Sequence, residues 1–411
     1  VTGPEIDAGR LLARLAELGA TGRDADGRLS RLAGSEADRL GRDLLVRWLE
    51  AAGLDVAIDR VGNIFGIWST PENAGRPAVL VGSHIDTVVD AGIYDGSYGV
   101  LAGLEVILAV KASGLVPRRP VAVAAFTNEE GVRYAPDMMG SLVHAGGLSP
   151  KAALATTGTD GSVLGEALAR IGYAGPVEPG FLKPHAYLEL HVEQGPVLET
   201  EGVTIGAVAD LQGISWQRVT MTGTANHAGT TPMAMRRDAG YAAALAVTTL
   251  RDLAARSGGS TVATVGRLAV EPDAINVIPG RATFTVDLRD PDEARLRAAE
   301  ERFAADLADI AAREGVSVST ERLARFAPVR FDDGLVGQIE AAARSRGHRV
   351  RRMTSGAGHD AQMMARICPA AMIFVPSRGG ISHNPAEHTD AADLVAGAGV
   401  LLDVVVSLAL D

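Results

Sequence analysis

Several short stretches place imidazole and carboxylate groups just where an apolar run ends. "AVLVGSHIDT" closes on His84 and Asp86, and "AGIYDGSYG" follows with Asp95. "VAVAAFTNEEGVRYAP" runs apolar to Phe126, then stops at the adjacent carboxylates Glu129 and Glu130. "YLELHVEQG" brings His191, Glu193 and Gln194, and "AMIFVPSRGGISHNPAEHT" carries His383 in a loop of Gly, Ser and Pro. A single histidine at a strand end is usually hydrogen-bonded structure, and paired glutamates are usually a solvated face. Repetition of the pattern argues for one site instead. Imidazoles and carboxylates with no cysteine nearby favour zinc, manganese, cobalt or nickel over an iron–sulfur cluster. There are ligands enough for two divalent metal ions, with Asp95 able to bridge them. In the HxD pair, Asp86 suits the role of holding the second ring nitrogen of His84 and fixing its tautomer.

The glutamate pair asks for a cation. Neighbouring negative charges disfavour each other, and an apolar setting makes this worse. Two divalent ions make them favourable. One glutamate can then be a ligand, while the other takes a proton from a water whose pKa the metal lowers from 15.7 to roughly 7. The spacing does not say which glutamate does which.

A second set of candidates lies further along. "GTANHAGTTPM" carries His227, "AINVIPG" carries Asn276, and "FTVDLRD" carries Arg289 at a strand end. Loop asparagines and strand-end arginines are common, yet an arginine with a neutral amide and a histidine is what a carboxylate-bearing substrate requires. "TSGAGHDAQMMA" holds Gly358, His359 and Asp360 in a loop before a helix, where backbone donors can face an anion. His144, His185 and His348 have no such company and read as surface or packing residues.

The elements that must position these groups alternate. Helical periodicity dominates the first sixty residues. Over 36–52 it puts Leu40, Leu44, Leu45, Trp48 and Leu49 on one face, with Gly53 as a stop. Strands "DVAID", "NIFGIW" and "AVLVGSH" follow, then a helix after Tyr98, the strand at 121–126, a loop-and-helix insertion over 140–182, and the strand "AYLELHVE". Such alternation predicts an α/β fold with a mostly parallel sheet and helices on both faces. Open sheets of this kind build their sites at the carboxyl ends of the strands. From about 212 to 327 the order becomes β-α-β-β-α-β, the split motif of a ferredoxin-like unit. Alternation then resumes with a helix near 332–346, the strand "AMIFVP" and a last helix from about 390. The expected organisation is a catalytic domain of residues 1–211 and 328–411, interrupted by an inserted α+β domain of 212–327.

Bulk properties narrow the class. A net charge of −11 argues against a nucleic-acid surface and an anionic-membrane anchor. A local arginine can still bind an anionic small molecule. The single Cys368 excludes an internal disulfide and suits a reducing compartment. "VTGPEIDAGRLLARLAELGA" lacks the pattern of a leader, and "GVLAGLEVILAVKASGLV", read as the most apolar helical stretch, carries Glu105 and Lys111. A cytoplasmic protein with no membrane contact is expected.

Taken together, "GSHIDT", "YDG", "TNEEG", "HVEQG", "NVIPG" with "DLRD", "GAGHDA" and "SHNPAEHT" resemble the motifs of the hydantoinase/carbamoylase branch of the dinuclear metallopeptidase–amidase superfamily. That branch holds N-carbamoyl-L-amino-acid hydrolases, allantoate amidohydrolases and β-ureidopropionases. The resemblance spans nearly the whole chain in the expected order. It implies that His84, Asp95 and His191 hold one metal and that Asp95, Glu130 and His383 hold the other. It implies Glu129 as general base. Arg289, Asn276 and Gln194 would bind the carboxylate and ureido groups of a small substrate. His227 and His359, with Gly358 beside it, would polarise the scissile carbonyl. It further implies a homodimer formed through the inserted lid domain, with His227 serving its own or the neighbouring subunit. The reaction expected is hydrolysis of an N-carbamoyl-L-amino acid to amino acid, carbon dioxide and ammonia. Rivals are allantoate or β-ureidopropionate hydrolysis and, more distantly, an aminopeptidase or aminoacylase.

Overall fold

A computed structural model describes residues 3–257, 259 and 261–411. The first two residues of the N-terminal stretch read for a leader, and Ser260 at the head of the strand expected there, lie outside the described residues. The chain divides into two compact units, residues 1–209 with 331–411, and residues 210–330.

The larger unit is built on one sheet. Four strands run parallel at its centre, in the spatial order Val121–Phe126, Ala78–His84, Pro184–Val192 and Ala370–Val375. Three of them are buried along their whole length, as their runs of Val, Ala, Leu and Ile require. The sheet turns antiparallel at both flanks. On one side Ile64–Trp68 pairs with Val121–Phe126, and Asp55–Ile58 pairs with Ile64–Trp68 through a short connection. On the other side Ile205–Leu211 pairs antiparallel with Ala370–Val375, and Val350–Ser355 joins it. The sequence reading missed these last two strands. "VRRMTS" hides its alternation behind two arginines, and "IGAVADL" falls where the pattern was changing.

Helix Ser97–Ser113 packs on the sheet and on the C-terminal helix Ala391–Leu410. Among the described residues, Ala391–Leu410, rather than the stretch after Tyr98, is the helix long and apolar enough to cross a membrane by length and composition, and 67 % of its most apolar window is buried inside the unit, as for a core helix. Met139–His144 and Asp360–Met364 pack on the sheet and on each other. The helix expected over 36–52 runs Glu36–Ala51, with Ser35 accepting from Asp38 N as its cap. Its buried face differs from the expectation. Leu44, Leu45 and Leu49 are inside, but Leu40 is 39 % exposed, because the buried ion pair Asp38–Arg42 takes the place beside them.

The smaller unit has a sheet in the order Leu268–Glu271, Arg281–Asp290, Gly213–Thr222, Ser317–Phe326, with Val262–Thr264 also on Arg281–Asp290. Helices Ala239–Arg256 and Glu293–Glu314 cover it over a core that includes Val219, Met221, Phe284, Phe303 and Leu307. The single strand expected over 260–271 is two short strands. A separate pairing of Asn226–His227 with Val277–Ile278 was not anticipated.

Candidate metal centre

The carboxyl ends of the four parallel strands deliver the candidate residues to one place. His84 ends its strand, Glu129 and Glu130 follow Phe126, and His191 is the penultimate residue of Pro184–Val192. His383 lies in the loop after Ala370–Val375. Asp95 stands just before helix Ser97–Ser113.

Asp95 is the hub. Its Oδ1 lies 3.1 Å from His191 Nε2 and 3.4 Å from His84 Nε2. Its Oδ2 lies 3.3 Å from His383 Nε2, which is 3.4 Å from Glu130 Oε2. The donors therefore form two triads, His84–Asp95–His191 and Asp95–Glu130–His383, each with ligand atoms within 4.8 Å of one another. Glu129 belongs to neither, although its Oε2 is 3.4 Å from His84 Nε2.

Ring orientation is set by main-chain carbonyls. His84 Nδ1 is 2.9 Å from Asp86 O, and His191 Nδ1 is 2.8 Å from Val192 O. A carbonyl only accepts, so in the neutral rings Nδ1 carries the proton and Nε2 turns a lone pair inward. This corrects the expected role of Asp86: it orients His84 through its backbone, not its carboxylate. The carboxylate instead accepts the N–H groups of Glu129 and Glu130, both at 3.3 Å. Backbone strain marks the same loops. Asn128, Gln194 and His383 have φ of 58°, 58° and 52°, a region that costs a non-glycine residue stability.

Electrostatics favour a cation here. Burial pushes the Glu129 carboxyl well above its ordinary range, with Asp360, Glu130 and Asp95 adding to the rise. Burial and Asp95 push Glu130 up to about 8. Burial would also raise Asp95, but its close contacts with the His191, His383 and His84 rings hold it well below the usual range. The hydrogen bond to Asp95 pushes His383 up to about 9. Among the described residues, Glu130 Oε1 and Gln194 Oε1 are buried acceptors without a hydrogen-bond donor. Oxygen and imidazole donors with this surplus of negative charge fit divalent cations, which would invert the local preference for protons.

Residues 80–407 match the profile of peptidase family M20/M25/M40. The chain belongs to that family and to the hydantoinase/carbamoylase family of amidases. An N-carbamoyl-L-amino acid amidohydrolase of Geobacillus stearothermophilus is 41 % identical over 98 % of this chain and 99 % of its own. An N-carbamoyl-L-amino-acid amidohydrolase of Rhizobium meliloti is 39 % identical over 98 % and 97 %. A crystal structure of a hydantoinase/carbamoylase-family amidase from Burkholderia multivorans superposes with a TM-score of 0.95, at 42 % identity over 99 % of each chain. Two Arabidopsis thaliana relatives, each 36 % identical, have other names. One is a ureidoglycolate hydrolase, over 99 % of this chain and 87 % of its own, and the other an allantoate deiminase, over 95 % and 81 %.

Around the amidase centre, Gln194 donates from Nε2 to Asp95 Oδ2 at 2.8 Å. His359 is buried, with its ring centroid 4.5 Å from that of His191 and its Nε2 3.1 Å from Ser355 Oγ. Burial and then His191 push its pKa well below the ordinary imidazole value, so the ring is neutral. The loop of Gly358 was expected to offer backbone donors to an anion. Two donors flanking it are taken within the protein, Ala361 N by Glu189 Oε2 at 2.7 Å and Ala357 N by Ser355 Oγ at 3.2 Å.

His227, Asn276 and Arg289 belong to the smaller unit. His227 is exposed, and its Nδ1 accepts from Gly229 N at 3.0 Å and Thr230 N at 3.2 Å. Asn276 O accepts from Ala228 N at 2.9 Å. Arg289 is ion-paired at 2.9 Å with Asp287, two residues away on the same strand face. The spacing in "DLR" could have shown that partner.

Sequence reasoning also missed two buried glutamates. Glu189 accepts from Ser83 Oγ at 2.7 Å as well as from Ala361 N, and so joins the segments of His84 and His359. Glu387 accepts from Tyr94 N, Asp95 N and Ser382 Oγ. Glu189 had a visible signal, a lone charge two residues before His191 in an apolar strand.

Proposed function

We propose that this chain hydrolyses the ureido C–N bond of N-carbamoyl-L-amino acids, yielding amino acid, carbon dioxide and ammonia. The observation that carries the proposal is the position of Asp95 between two histidine–carboxylate triads, with Glu129 adjacent and in neither. His84, Asp95 and His191 would hold one cation, and Asp95, Glu130 and His383 the other. When bound, two divalent ions of zinc, manganese, cobalt or nickel would polarise the ureido carbonyl and acidify the attacking water.

The chain's own groups do the rest. Glu129 takes the water's proton at its carboxylate and returns it to the leaving amine. Asp86 keeps the Glu129 and Glu130 main chain in register for this. Gln194 Oε1, a buried acceptor without a donor among the described residues, suits a ureido N–H. Neutral His359 and the exposed His227 polarise the carbonyl oxygen, with Gly358 leaving room beside His359. Asn276 and Arg289 receive the substrate's carboxylate, which must compete with Asp287 for the guanidinium. Residues 212–327 act as lid and homodimer contact, and the protein works in the cytoplasm. The names of the bacterial relatives support a carbamoyl amino acid, and those of the plant relatives keep allantoate and ureidoglycolate as the second reading.

The test is ammonia release by the purified chain with and without manganese. N-carbamoyl-L-methionine, N-carbamoyl-β-alanine, allantoate and ureidoglycolate are offered in parallel, with a glycine dipeptide followed by its new amine. Metal-dependent turnover of the first is expected. Turnover of allantoate or ureidoglycolate alone would move the substrate to the second reading, and cleavage of the dipeptide alone would overturn the ureido assignment.

A further inference from the structure

The two triads are held unequally. His84 and His191 end buried strands, each 1 % exposed, with Nδ1 bound to a main-chain carbonyl. The His383 side chain is 52 % exposed, and its loop has no regular structure from Ile381 to Asp390. That loop is fastened to Asp95 by Glu387, which is 6 % exposed. Glu387 Oε1 accepts from Ser382 Oγ, the residue before His383, at 2.9 Å. Its Oε2 accepts from Tyr94 N at 2.9 Å and Asp95 N at 3.2 Å. Gly92 admits this carboxylate, since a Cβ there would overlap Glu387 Oε2.

We propose that Glu387 is a positioning residue that fastens His383 to Asp95, so that the Asp95–Glu130–His383 triad depends on it while His84–Asp95–His191 does not. Asp95 has other holds. Its carbonyl accepts from Ser97 N at 2.6 Å, and its carboxylate faces His84, His191 and the Gln194 amide. The loss of Glu387 therefore falls on His383. Among the described residues, the remaining hydrogen bonds of 382–387 are local, between Asn384 and residues 386–387, apart from a long contact of 3.5 Å between Gln194 Nε2 and His383 Nε2. Ser382 Oγ also lies 3.3 Å from Asp95 Oδ2. This gives the hydroxyl proton an alternative acceptor. A glutamine at 387 can thus keep the geometry. Its carbonyl accepts both N–H groups, its amide donates to Ser382 Oγ, and the hydroxyl turns to Asp95. An alanine keeps none of this.

The inference rests on the two-cation reading, and its test separates the two. Full-length wild type, Glu387→Ala and Glu387→Gln are loaded with Mn2+, dialysed, and assayed for metal by mass spectrometry, with circular dichroism as a check on folding. Two ions per chain are expected for wild type and Glu387→Gln, and one for Glu387→Ala. Glu387→Ala holding two ions as tightly as wild type overturns the role of Glu387, as does a Glu387→Gln chain that loses the second ion. A wild type holding fewer than two overturns the two-cation reading and this inference with it. If Glu387→Ala does not fold, Ser382→Ala replaces it. The second ion should then bind ~10-fold more weakly, in the range known for outer-shell partners of metal ligands. Unchanged binding of both ions overturns the proposal.

Discussion

Gly96 stands directly against the ring of His84. A Cβ on Gly96 would come within 2.5 Å of the ring's Cδ2, Cε1 and Nε2, and the residue has φ 61°. Both facts exclude a side chain, one by overlap and one by backbone strain. Gly96 N also donates to His191 Nε2 at 3.1 Å. Gly96→Ala should displace His84 from Asp95 and weaken metal binding by ~10–100-fold, the scale on which misoriented ligands lose affinity. Isothermal titration with Mn2+ reads this directly. A titration like wild type would mean that the His84 ring has room to move.

Glu129 lies beside the triads without belonging to either, so its removal should separate chemistry from metal binding. Glu129→Gln keeps the shape and loses the proton acceptor. The rate constant kcat should fall ~10²–10⁴-fold, with metal content unchanged. If Glu129→Gln loses a metal ion along with its activity, the residue is a ligand and not the base.

How much of this was legible beforehand follows from the kind of signal each residue carries. His84, Glu129, Glu130 and His191 sit at or just beyond the ends of apolar runs, so the polarity change announces them. Asp95 and His383 lie in Gly-rich loops, where composition alone hints at a site. The central parallel strands were visible because strands buried on both faces must be apolar throughout. Val350–Ser355 was invisible because its arginines sit on a partly exposed flank. Leu40 was misplaced because periodicity counts apolar residues and has no means of seeing that Arg42 and Asp38 neutralise each other inside. Glu387 contacts residues 292 and 293 positions away, and such contacts leave no local trace.

Asp59 gives a pH dependence that is independent of the metal centre. Its buried carboxylate accepts from Val61 N and Asn63 N at 3.0 Å and from Asn63 Nδ2 at 2.8 Å. Asn63 in turn accepts Thr127 N at 2.9 Å, two residues before Glu129. Burial pushes the Asp59 pKa up to about 6, against the pull of these hydrogen bonds. The folded state therefore holds the proton more tightly than the unfolded chain, where an aspartate titrates near ~3.9. Its contribution to stability is full below about pH 4 and is lost as pH rises through about 6, amounting to roughly 2–3 kcal/mol. Urea unfolding between pH 4 and 7 should show wild type losing that much relative to Asp59→Asn, which develops no charge. A stability difference that stays constant across this range would contradict the shift.

The ion pair Arg42–Asp38 makes the corresponding prediction for the helix Glu36–Ala51. Its partners are 2.8 Å apart and essentially without exposure, 1 % and 0 %. Arg42 also donates to Gly62 O at 2.6 Å and Thr127 Oγ1 at 3.2 Å, so it braces the strand end that leads to Glu129. Two buried charges stabilise little as a pair, because their desolvation offsets their attraction, but one left alone is costly. Arg42→Met should therefore lose ~3–5 kcal/mol, since it strands Asp38 in the interior. Asp38→Leu combined with Arg42→Met should recover part of that loss, because the stranded carboxylate is gone, although buried Arg31 then loses a facing charge and Gly34 N its acceptor. The double variant should still show a lowered kcat, having lost the donor to Thr127. Urea unfolding and kcat measured on the same three proteins test both parts. If the double variant is no more stable than Arg42→Met, then packing, and not the stranded charge, sets the cost.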